Sequence, residues 1–96
     1  MKVFKDLVFG KRFSGIGARM DFDNGFSISA IAGRSAYSTP REDKDSPDDF
    51  EAFEVAVFGP NGDFATKQFV PDLDDDVLGW QSRGQINALM LLIQSK

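Results

Sequence analysis

The sequence predicts an α+β fold, a small antiparallel sheet of two β-hairpins packed against a C-terminal α-helix, and three observations carry that reading. Around Asp23-Asn24-Gly25, apolar and polar residues alternate on both sides, as in two half-buried strands joined by a tight turn. A second strand-like run, Phe53 to Phe58, ends at Gly59-Pro60-Asn61-Gly62 and resumes at Phe64. Near the end, Ile86, Leu89, Met90 and Ile93 repeat at i, i+3, i+4 and i+7, one face of a helix. At 96 residues the chain has room for a single domain over residues 1–96, and its ten Phe residues supply large apolar groups for one core. With 42% hydrophobic and 27% charged residues it has the composition of a folding chain rather than a disordered one.

From the N-terminus, Phe4, Leu7 and Val8 suit a short helix, whereas Leu7 to Phe9 also suits a strand, and both readings of Met1 to Ile16 stay open. Gly10, Gly15 and Gly17 then read as a flexible connection. In the first hairpin a two-residue turn would place Phe22 on the same side as Ser27 and mix the faces. A three-residue loop, with Gly25 left-handed, pairs Phe22 with Phe26 and Met20 with Ile28 instead. Residues 34–50 hold Arg41, Glu42, Asp43, Lys44, Asp45, Asp48 and Asp49 around Pro40 and Pro47, so they are expected to form a charged, exposed loop.

In the second hairpin, Pro60 presets the turn and Gly62 supplies a positive φ. Phe58 should pair with Phe64 on one face while Val55 and Val57 occupy the other, which places this hairpin centrally in the sheet. Pro71 to Asp76 reads as an acidic turn, followed by Val77, Leu78 and Trp80. Ser82 and Gln85 have the spacing of a capping box, so the helix should run from about Arg83 to Gln94. Leu91 and Leu92 would widen its apolar stripe, which either lies beneath the domain's own sheet or is shared in a homodimer through the C-terminal helix.

Several chemistries are excluded by residue type. The chain has no Cys and no His, which removes disulfides, thiolate nucleophiles, the usual zinc sites and imidazole acid-base catalysis. A calcium loop begun at Asp72 would put Val77 where glycine belongs and Arg83 where the bidentate glutamate belongs. One begun at Asp43 puts Asp48 at the glycine and Pro47 among the ligands. Gly15-x-Gly17 lacks the Lys-Ser/Thr of a P-loop, and Ser14, Ser35 and Ser38 have no base to activate them. No metal, no cofactor and no enzymatic activity are expected. The longest apolar run, Ala88 to Ile93, is too short to span a bilayer, and without a recognisable secretion signal the expected location is the cytoplasm.

What remains is binding. The acidic clusters offer Asp43, Asp45, Asp48 and Asp49 in the loop and Asp74 and Asp75 in the later turn, with Tyr37 and Phe50 at the loop's edges as aromatic anchors. The net charge of −4 opposes broad contact with phosphates, although Lys2, Lys5, Lys11, Arg12 and Arg19 make nucleic acid the alternative partner.

Asn24-Gly25-Phe26-Ser27-Ile28-Ser29, Phe53-Glu54-Val55-Ala56-Val57-Phe58 and Asp75-Asp76-Val77-Leu78-Gly79-Trp80-Gln81-Ser82 resemble patches of a class of short uncharacterised proteins of tailed phages and prophages. The likeness spans about residues 20–93, and the charged stretch Arg41 to Asp49 departs from the shorter Tyr/Gly-rich connection of that class. The resemblance implies a phage accessory protein, a small module that binds and inhibits a host or phage protein, defence components such as CRISPR proteins among them. A structural or self-assembling virion component, using the apolar helix face as its interface, is a further alternative.

Overall fold

In the computed structural model, which describes residues 1–96, five strands form one antiparallel sheet in the order of the chain: β1 (Gly10–Lys11), β2 (Ile16–Asp21), β3 (Ser27–Ala32), β4 (Phe53–Phe58) and β5 (Leu78–Gln81). A short helix, α1 (Thr66–Phe69), lies between β4 and β5, and α2 (Arg83–Gln94) closes the chain. The α+β class expected from the sequence is the one observed.

β2 and β3 close in the register the alternation predicts, with Met20 opposite Ile28 and the Phe22 N–H donating to the Phe26 carbonyl at 2.8 Å. Gly25 donates to the Phe22 carbonyl at 3.0 Å with φ +90°, a conformation that glycine adopts without steric cost. The Asn24 amide accepts from the Phe26 N–H at 3.1 Å and donates to the Ile93 carbonyl at 2.9 Å, which ties the turn to the end of α2. The same turn recurs after β4. Gly59 donates to Asp63 at 2.8 Å, Gly62 to Gly59 at 2.9 Å with φ +87°, and Asn61 accepts from the Asp63 N–H at 3.2 Å.

The second hairpin departs from expectation beyond its turn. Phe64 does face Phe58, but the returning strand ends at that single bridge. Thr66, fully buried, explains the break: its hydroxyl accepts from the Val57 N–H at 3.0 Å and donates to the Asp76 carbonyl at 2.6 Å, standing in for a backbone ladder and starting α1. β4 is still internal, because β5 takes the place of the missing strand. Its pairing shifts between Phe53↔Gln81 and Val55↔Leu78, so Gly79 and Trp80 together oppose Glu54 in a β-bulge.

One face of the sheet, with Ile16, Ile28, Ala30, Ala32, Phe53, Val55 and Val57, is buried in a single apolar cluster with Ile86, Leu89, Met90 and Ile93 of α2. The capping box forms as predicted, with Gln85 N–H donating to Ser82 Oγ at 3.2 Å and Ser82 N–H to Gln85 Oε1 at 2.9 Å. Leu91 and Leu92 are exposed and do not widen the buried stripe. Of the two readings of the N-terminal segment the short helix is the nearer, though it is a single 3-10 turn, Phe4–Asp6, that stops before Leu7 and leads through extended chain into β1. Its backbone is held by α2: Phe4 N–H donates to Asn87 Oδ1 at 2.7 Å, and the Gln94 amide bonds Lys2 in both directions at 2.9 and 2.7 Å. The glycine-rich connection is a packed turn. Gly15, at φ +88°, approaches so near the Ala32 carbonyl and Gly33 that a side chain has no room, and Ser14 Oγ lies 2.8 Å from Ser35 Oγ.

Residues 34–50 are charged and largely exposed, yet pinned at several points. Ser38 is buried, its hydroxyl accepting from the Gly33 N–H at 3.1 Å and donating to the Pro40 carbonyl at 2.9 Å. The loop's last turn, Pro47–Asp49, is clamped by Arg83, whose guanidinium donates to the carbonyls of Pro47 at 2.6 Å and Phe50 at 2.9 Å and lies 5.1 and 5.4 Å from the rings of Phe4 and Phe53. Hydrogen bonds from a charged donor are worth about 1.5–3 kcal/mol each. Arg83→Met, which keeps an apolar stem, is expected to cost about 2–4 kcal/mol in urea denaturation, with faster amide exchange at Asp49 and Phe50.

Candidate partner-binding face

The strand alternation that buries one face of the sheet sends Gly17, Arg19 and Asp21 of β2, Ser27, Ser29 and Ile31 of β3, and Glu54, Ala56 and Phe58 of β4 to the opposite, outer face. Its middle is made of small residues, and aromatic pairs stand at both ends. No helix covers it, since α2 packs against the other side.

At one end the Tyr37 and Trp80 rings stack at 5.1 Å between centroids and 26° between planes, and the Arg41 guanidinium sits 5.3 Å from the Tyr37 ring. The backbone fixes this arrangement. Trp80 N–H donates to the Tyr37 carbonyl at 2.9 Å, and Tyr37 N–H donates to Glu54 Oε1 at 3.0 Å. Gly79 gives the ring its seat, because a Cβ there would stand 2.9 Å from the Tyr37 Cβ. Trp80 is the one non-glycine residue with positive φ, +53°. For a bulky side chain that conformation is costly, on the order of 1–3 kcal/mol, and it is kept only where the surroundings impose it. Both rings remain open to solvent, Tyr37 at 42% and Trp80 at 54% exposure.

At the other end Phe58 and Phe64 pack at 4.9 Å, with the Arg19 guanidinium 4.4 Å from the Phe58 ring and its Nη2 donating to Ser27 Oγ at 3.0 Å. The stem of Arg12 lies over Gly17. The protein has two ion pairs, Lys11 with Asp45 at 3.7 Å and Arg34 with Asp43 at 2.6 Å. Arg12, Arg19 and Arg41 therefore have no carboxylate partner, and the latter two rest on aromatic rings instead.

The residues singled out from the sequence are distributed unevenly over this geometry. Tyr37 belongs to the stack. Asp43 is committed to Arg34, whose backbone N–H it also accepts at 3.0 Å, and Asp45 to Lys11. Asp48 and Asp49 are exposed on the 3-10 turn and make no ion pair. Phe50 is not at the surface: it is 1% exposed, its ring 6.0 Å from Phe53, so it anchors the loop in the core and offers nothing to a partner. Asp74 and Asp75 are exposed in the turn before β5, next to the Thr66–Asp76 contact at the C-terminal end of β4. The loop lies toward the opposite end, where Thr39 faces Ala52, so the two acidic clusters do not form one surface. No group of three or more acidic side chains is placed to share a metal ion.

Trp80, Arg41 and Phe58 are not among the contact residues the sequence points to, and Arg19 is among them only as part of the basic stretch. The signals for Trp80 were a glycine directly before it and the Leu78/Trp80 alternation, too short beside an acidic run to stand out as a strand. No helix is long and apolar enough to cross a membrane. Compared with protein-family models, with curated proteins and with solved structures, the chain finds no match in any of the three.

Proposed function

We propose that the chain is a small protein-binding module, a phage-type accessory protein acting in the host cytoplasm, whose contact surface is the outer sheet face and the loop beside it. The observation that carries this reading is the Arg41–Tyr37–Trp80 stack, in which a strained Trp80 backbone holds two aromatic rings in solvent. Tryptophan, tyrosine and arginine are the residues that most often dominate the energetics of protein interfaces. A ring fixed before binding also loses little conformational freedom on contact. Asp48 and Asp49, unpaired on the adjoining loop, add charge complementarity toward a basic partner surface and would favour inhibition by occupying it.

The test is affinity capture from a bacterial host with a nuclease-treated control. One host or phage protein should be recovered in near-equal amounts, and Tyr37→Ala with Trp80→Ala should reduce its recovery by at least about tenfold, as expected for the loss of hot-spot residues. Equal recovery by the variant would reject the stack as the contact.

A second reading, binding of single-stranded nucleic acid, is favoured by Arg19 and Arg41, which have no carboxylate partner and lie over aromatic rings. Its signature is an affinity for a labelled oligonucleotide that falls steeply as salt rises, and absence of binding at low salt removes it.

A further inference from the structure

We infer that the outer edge of β2 is a self-association edge, at which two copies of this chain pair antiparallel about Met20. β1 covers β2 only at Ile16 and Gly17, and the remainder of that edge has no neighbouring strand. The hydrogen-bond parity of the hairpin determines what the edge offers. Because Phe22 donates to Phe26, the inward-bonding positions are Phe22, Met20 and Ala18, and Arg19 and Asp21 turn their N–H and C=O groups away from β3. No backbone or side-chain group of the chain takes those four groups. They form a ready-made template for another strand.

Sheet edges are commonly protected by charge, and a protective edge repels its own copy by carrying one sign. Here the two edge residues carry opposite signs two positions apart, on the same face. With the two-fold axis at Met20, Arg19 of each copy falls opposite Asp21 of the other, all four outward backbone groups find partners, and two cross-strand ion pairs form on the outer face once each Arg19 guanidinium turns from Phe58 and Ser27 toward the edge. An axis at Arg19 or at Asp21 would set like charges opposite one another, so the sequence selects one register. Met20 is half-buried and would meet its copy on the inner side. Val8, 85% exposed, stands beside Arg12, Gly17 and Arg19 at the β1 end of this edge and gives an added strand one apolar side chain to cover.

Sedimentation of the full chain over a micromolar to millimolar series tests the proposal. A reversible monomer–dimer equilibrium is expected. Asp21 makes no side-chain bond within the chain, so Asp21→Arg leaves the fold intact while placing like charges opposite one another, and should weaken the dimer about thirtyfold. Arg19→Glu should do the same with opposite sign, and an equimolar mixture of the two variants should dimerise again, because both cross-strand pairs are then complementary. A wild-type chain that stays monomeric throughout overturns the inference, and so does a mixture no more associated than either variant alone. A dimer abolished by Leu91→Lys with Leu92→Lys but untouched by Asp21→Arg also overturns it, and moves the interface to α2.

Discussion

Gly15→Ala is expected to lower stability by about 3–6 kcal/mol, because two costs meet at one atom. At φ +88° any L side chain is strained, and the new Cβ would fall on the Ala32 carbonyl oxygen and against Gly33. Those neighbours are backbone atoms of β3 and the strand's exit, so relief requires the β1–β2 turn to move away from β3 and to give up the Ser14–Ser35 contact. A domain of 96 residues has a total stability on the order of 5–14 kcal/mol, so the variant should be partly unfolded or far more sensitive to urea. Gly62→Ala supplies the control. Its φ is almost the same, +87°, but nothing lies within 4 Å of the new Cβ, so it should cost only about 1 kcal/mol. Equal losses for the two variants would show that backbone strain alone, and not the close approach at Gly15, governs the first turn.

Phe53→Ala is expected to cost about 3–5 kcal/mol in the same assay, since Phe53 is fully buried where three separate segments meet. Its ring lies 5.2 Å from Phe4 and 5.5 Å from Phe9 on the N-terminal segment, 6.0 Å from Phe50 at the end of the charged loop, and 5.4 Å from the Arg83 guanidinium of α2. The cavity would loosen all three, so amide protection should fall at residues 4–9 and 47–52 as well as in β4. Phe53→Leu, which refills most of the volume, should recover all but about 1–1.5 kcal/mol. A loss confined to β4 amides would contradict the view that this cluster fastens the loop and the N-terminal segment to the sheet.

The parts of the fold that could be read in the sequence are those set by local rules. The capping box at Ser82 and Gln85, the stripe from Ile86 to Ile93, and the turn at Asn24-Gly25 depend on residues within one turn of each other, and each formed with the predicted register. The parts that could not be read depend on partners distant in sequence. Phe50, an apolar residue after seven charged ones, is buried against Phe53, and Arg83, thirty-three positions later, holds its carbonyl. β5 exists because the Thr66 hydroxyl ends the second hairpin and leaves the β4 edge open for Leu78 to Gln81. The candidate face was half legible. Tyr37 stands out in the sequence as a contact residue, but its partner Trp80 shows there only as one of the apolar residues after the acidic turn, and the positive φ that holds it has no sequence signature in a residue other than glycine, asparagine or aspartate. The acidic residues were legible as charge and not as geometry: the structure commits Asp43 and Asp45 to internal ion pairs and leaves Asp48, Asp49, Asp74 and Asp75 free of them.

On the proposed function, Trp80 is held in an unfavourable backbone conformation for contact and not for stability. The most direct test of this claim is partner capture by Trp80→Asn, normalised to folded protein. Asparagine tolerates positive φ, so relief of strain should roughly offset the lost ring stacking, worth about 0.5–1.5 kcal/mol, and the variant should melt within a few degrees of the wild type. This well-folded variant is expected to capture at least about tenfold less partner. A variant that melts far lower yet captures as much partner per folded molecule would assign Trp80 to the fold and contradict the claim.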